Sequence, residues 1–114
     1  MAKLFNSDMK LLLPDLRKAD RMFSRVKGLL GTSHLPAESG LWIHPCNSIH
    51  TFFMKYAIDC VFVDSDLQVK ALVKDIQPGR MVWPVWGARS VIELSSGSIE
   101  KLGLKVGDQL HVGA

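Results

Sequence analysis

Cys46, His50 and Asp59 bring a thiol, an imidazole and a carboxylate close together in otherwise apolar sequence. Unpaired polar groups in such surroundings typically cost about 1–3 kcal/mol, so each of the three needs a partner or a task. His50 with Asp59 behind it has the make-up of a general base with its orienting acid, and Cys46 would be the nucleophile if the imidazole reached it. That is the chemistry of a small hydrolase or transferase. The same residues have a plainer reading: a histidine on an apolar strand face is usually a structural group satisfied by backbone or a carboxylate, and cysteine is among the most buried residue types. A His50–Asp59 pair would fix the imidazole tautomer under either reading. His44, Cys46, His50 and Asp59 also have metal-ligand chemistry, but the four together do not show the parity and spacing that a chelating set on adjacent strands needs, and no structural metal or cofactor is expected.

Other residues could frame a binding site. Thr51 and Met54 flank His50, and in an extended chain His50, Phe52 and Met54 share one face while Ile49, Thr51 and Phe53 take the other. Arg89 and Glu93 share strand parity about 13 Å apart, which directs them to other segments and makes both candidates for a pocket rim. Trp42, Tyr56, Trp83 and Trp86 lie near loops, with Pro84 between the last two. Large aromatics there either line a cleft or partner surface, or plug the end of a small barrel.

The elements that would position these residues follow from periodicity. Residues 9–19 read as an edge strand or extended arm, because Pro14 cannot donate to a central ladder. Asp20 is placed as an N-cap for a helix to Leu30, with Phe23, Val26 and Leu30 on its core face and Arg17, Arg21 and Arg25 on a basic flank. Leu41–Ile43 begins a region of period two. Ile58, Cys60 and Phe62 take one strand face and Asp59, Val61 and Val63 the other; Asp64–Asp66 then turns the chain into a second strand at Leu67–Val73, a β-hairpin. Ala88–Leu94 reads as a strand, Ser98 as the cap of a short helix ended by Gly103, and Gln109–Val112 as a final strand.

Several blocks together resemble the family called domain of unknown function 192: Arg25-x-x-Gly28-Leu29-Leu30, His50-Thr51-Phe52-Phe53-Met54, Ile58-Asp59, Phe62-x-Asp64, Ala88-Arg89 with Glu93-Leu94, and Gly103-Leu104 with Gly107-Asp108. The resemblance spans roughly residues 9–112. It implies a mostly β, barrel-like domain carrying one main helix, and it implies no established activity. Two positions depart from the family pattern: Ala57 stands where proline is frequent and Leu67 where the hairpin often has glycine, so altered turn geometry is expected there.

Composition sets the outer bounds. With 114 residues and 47% hydrophobic content, one domain over residues 1–114 is expected, with residues 1–8 as a loosely ordered arm. The net charge of +3 is concentrated before Leu30, where Lys3, Lys10, Arg17, Lys18, Arg21, Arg25 and Lys27 face Asp8, Asp15 and Asp20. This basic flank is expected to give only weak, salt-sensitive nucleic-acid binding, the least favoured function. Two cysteines without Cys-x-x-Cys spacing point to reduced thiols, and no apolar run is long enough to span a membrane, so a cytoplasmic protein without a membrane partner is expected. The expected fold is α+β, a mostly β barrel-like sheet with one main helix and a short second one. The leading functional expectation is a binding module for a small polar ligand or a protein partner, with its site at His50, Thr51, Met54, Asp59, Arg89 and Glu93. The rival is the His50/Asp59 enzyme.

Overall fold

A computed structural model describes residues 2–19, 35–52 and 54–114. The expected helix from Asp20 to Leu30, with Phe23, Arg21 and Arg25, lies outside these residues, as does Phe53. Among the described residues, nine strands run in the order β1 (Ala2–Phe5), β2 (Leu11–Ala19), β3 (Ser39–Ile43), β4 (Ile49–His50), β5 (Ile58–Val63), β6 (Val69–Ile76), β7 (Met81–Val82), β8 (Ser90–Ser95) and β9 (His111–Gly113), with one short helix, α1 (Ser98–Leu102), before β9. Seven of them form a curled sheet in the spatial order β6-β5-β8-β3-β2-β1-β9, and β4 pairs with β7 in a separate ribbon.

The sheet nearly closes on itself. Just ahead of β9, Gly107 donates its N–H to the Val69 carbonyl (2.8 Å), Val69 donates to Asp108 (2.9 Å) and Leu110 donates to Leu67 (3.0 Å). These bonds bridge the two ends of the sheet, and the alternation of apolar residues then sorts them between an interior and an outer face. Leu4, Leu13, Leu16, Val61, Val63, Ile92, Leu94 and Leu110 meet inside, with Ile99 of α1 closing over them. Ala19, Ile43, Ile58, Cys60, Phe62 and Val91 form a second core on the outer face, covered by Ile49, Val82, Val85, Met54 and Tyr56 from the loops around β4 and β7. The parity expected for Ile58–Val63 is the parity observed, and the strand is buried throughout because both faces are covered.

Three local expectations are corrected. β2 is an interior strand, flanked by β1 and β3. Pro14 is tolerated because its ladder to β1 is irregular, jumping from Leu4↔Leu13 to Ala2↔Leu16, while pairing with β3 starts only at Asp15. Residues 2–5 are no loose arm: β1 lies between β2 and β9, with Leu4 fully buried. Ser98 does not cap α1. The N-cap is Gly97, in the left-handed region at φ 92°, and the Ser98 hydroxyl instead meets that of Ser95 at 2.7 Å.

Candidate functional site

Asp59 caps α1 from a distance. It sits on the interior face of β5, fully buried, and its Oδ2 accepts the N–H groups of Gly97 (3.1 Å) and Ile99 (2.9 Å). Those are donors that the first turn of a helix leaves without intrahelical partners, and a carboxylate there also faces the positive end of the peptide dipoles. Its other oxygen, Oδ1, accepts the N–H of Asp75 at 2.8 Å. Asp75 is a left-handed residue (φ 52°) where the β5–β6 register slips between Ile58↔Ile76 and Cys60↔Val73. Its own carboxylate in turn accepts the Ser96 hydroxyl at 2.7 Å. The expected Asp59–imidazole pair is therefore replaced by three backbone donors, and Asp59 joins a bulge in β6 to the start of α1.

Thr51 is equally committed to structure. The buried side chain donates to the Gln77 carbonyl (2.7 Å) and accepts the Arg80 N–H (2.9 Å). Its backbone N–H donates to Arg80 O and its carbonyl accepts from Gly79, both at 2.8 Å. Thr51 thus clamps the Pro78–Gly79 turn, where Gly79 takes the positive φ of 80° that a side chain would resist. Met54 is half-buried against the outer core. The Cys46 thiol donates to the Ser48 carbonyl at 2.8 Å, and Cys46 N–H donates to Arg89 O at 2.9 Å.

The remaining candidates separate. Glu93 is fully buried and pairs with Cys60 on β5 and Leu41 on β3, which places it on the outer face, opposite to Asp59. Arg89 precedes β8 and is exposed, its backbone held by Val63 O at 2.8 Å and by the Cys46 bond. His50, Asp59, Arg89 and Glu93 do not converge on one cleft. Among the described residues, no three His, Cys, Asp or Glu side chains are grouped so as to hold a metal ion.

What the molecule does present is an apolar lobe. In the β4–β7 ribbon Ile49 pairs with Val82 and His50 with Met81. The first pair is turned onto the outer core and the second away from it. His50 stacks on Phe52 with ring centroids 5.0 Å apart and 23° between planes. Phe52 is 49% exposed, Met81 55%, Trp83 77% and Trp86 97%, so the two tryptophans plug nothing. Trp42 behaves differently, packing on the interior core and donating its indole N–H to Ser90 Oγ at 2.8 Å. Alternation along residues 81–83 could have revealed the outward side, but periodicity does not say which face of a two-stranded ribbon meets the core.

Comparison with known proteins matches residues 4–112 to DUF192, described as "Uncharacterized ACR". A UPF0127 protein of Thermococcus sibiricus is 37% identical over 100 residues, covering 81% of this chain; the alignment spans 62% of that protein's length. A solved protein of unknown function from Novosphingobium aromaticivorans superposes with a TM-score of 0.79 at 19% identity, over 96% of this chain and 82% of that one. A solved protein of Sinorhizobium meliloti, described as a candidate transcription regulator, gives 0.76 at 18% identity over 97% and 91%. At these identities the two structures share the fold alone. No described helix is long and apolar enough to cross a membrane.

Proposed function

Because this chain belongs to the DUF192 family, whose name carries no activity to inherit, we propose from its surface that it is a protein-interaction module. Its contact face is the outward side of the β4–β7 lobe: His50, Phe52, Met81 and Trp83. The supporting observation is exposure, from 49% to 77% for Phe52, Met81 and Trp83 side by side on an element whose other side is buried. Contiguous exposed apolar surface of this kind is uncommon outside interaction sites, and tryptophan and methionine are enriched in interface cores. Charge narrows the partner. Residues 44–57 and 77–90 contain Lys55, Arg80 and Arg89 but no aspartate or glutamate, which suits an acidic protein surface. The enzyme reading draws no support from Asp59, whose carboxylate holds backbone donors.

A photo-crosslinking residue placed at position 81, with position 105 as control, tests this in the protein's own cell. A discrete protein adduct is expected from position 81 alone, and binding of that partner to purified protein should weaken at least tenfold in Trp83→Ala. A lipid adduct, an adduct with a second copy of the chain, no adduct, or indifference to Trp83→Ala would each overturn the proposal.

A further inference from the structure

Beside the lobe, an open cleft of about 470 Å³ is lined by Asn47, Pro84, Val85, Trp86, Ala88 and Arg89. We infer that this cleft is a binding site for an oxyanion carried on a flat ring, a ligand class distinct from the protein surface proposed above. Its two polar groups are the Asn47 amide and the Arg89 guanidinium, and among the described residues neither side chain is engaged in a hydrogen bond or ion pair. An arginine fork with no carboxylate on it matches a carboxylate or phosphate in bidentate geometry, and the amide adds two more donors.

The walls are held in place although the side chains are free. Val85 donates to Asn47 O (2.8 Å), Ala88 donates to Val85 O (3.2 Å), and Arg89 is tied to Val63 and Cys46 on either side of its peptide. Gly87, at φ 82°, makes the turn that places Trp86 and Arg89 on the same cleft. The Trp86 indole, 97% exposed, offers a face for stacking, which is why a ring rather than a bare ion fits. Among the described residues the charge around the cleft is positive. The two segments that build the cleft carry no acidic residue, and Asp64, nearby through Lys70, is already paired with that ammonium at 3.5 Å. The volume falls within the range of about 300–1,000 Å³ usual for small-molecule sites.

Two sources supply the same chemistry, a nucleoside monophosphate and an aromatic carboxylate, so the full chain is titrated with AMP and with benzoate, and with adenosine and inorganic phosphate as the separated halves. The readouts are the NMR signals of the Trp86 indole N–H and the Asn47 side-chain amide. Saturable shifts of both signals with AMP or with benzoate are expected, with at least tenfold weaker binding of adenosine and of phosphate alone. The one that binds identifies the source. Arg89→Gln and Trp86→Ala should each weaken the effective ligand at least tenfold, with Arg17→Gln unchanged. Absence of saturation with both ligands, equal binding of phosphate alone, or binding that survives Arg89→Gln overturns the assignment. None of these results depends on whether position 81 cross-links to a protein.

Discussion

A carboxylate that receives three backbone N–H groups in a fully buried position has no adequate substitute. Asp59→Asn keeps the shape but turns an NH2 toward donors, and leaving buried donors unmatched is expected to lower stability by about 2–3 kcal/mol, read from urea unfolding. A midpoint equal to the parent's would show that α1 and the β6 bulge hold without it. Asp64 makes a prediction in pH. The N–H of Gln68, above all, holds its carboxyl below the ordinary value against the raising effect of burial, helped by the Asp66 N–H and the Lys70 ammonium. A depressed carboxyl stabilises fully above the unfolded value of about 3.9 and loses that contribution as pH falls through the lower folded value. The stability gap between the parent and Asp64→Asn should thus be constant from pH ~7 to ~5 and shrink below pH ~4. Leu67, where glycine was the family expectation, adopts φ 65° and so keeps the glycine-type turn, with Leu67 N–H donating to Asp64 O at 3.1 Å. The strain is offset by packing against the interior core. Relief of about 1–2 kcal/mol against loss of a partly buried leucine leaves Leu67→Gly within about 1 kcal/mol of the parent.

Among the elements, those governed by local rules were legible in the sequence. The β5–β6 hairpin follows from strict alternation around Asp64–Asp66, and α1 ends at Gly103 in the left-handed conformation that its type favours. The cap of α1 was not legible, because its carboxylate comes from 40 residues upstream of Ile99, beyond any capping rule based on neighbours. Pro14 misled for the opposite reason: the rule that bars proline from central strands is correct, yet a register slip in the partner strand, invisible in the sequence, satisfies it. In the candidate site, the acid expected to pair with His50 belongs to the other core, where its carboxylate holds backbone donors. Close packing in the barrel also leaves little room for a side chain at one glycine. A Cβ on Gly40 of β3 would come within 2.9 Å of Leu13 Cδ1 and 3.1 Å of Leu94 Cδ2, so Gly40→Ala is expected to cost about 1–3 kcal/mol by thermal or urea denaturation.

At the scale of the whole molecule, the bonds from residues 107–110 to 67–69 decide whether the sheet is a barrel or an open half-barrel. Amide exchange distinguishes them: protection of Gly107, Val69 and Leu110 should approach that of β5 and β8 if the seam opens only with global unfolding. Exchange faster by several orders of magnitude would make it a loose edge. The separation of the two cores by one sheet also explains why the polar residues gathered by sequence proximity are scattered in space: successive residues of a strand face different cores, so Asp59 and Glu93 cannot share a site. The same topology reaches into how the chain is made. β1 pairs with β9 through Lys3↔Gly113, Leu4↔Val112 and Phe5↔His111. β1 must therefore keep one edge unpaired until β9, far along the chain, becomes available. Contacts of such sequence separation make folding slow and expose strand edges meanwhile, so newly synthesised chains should depend on chaperones well before the mature protein shows any weakness.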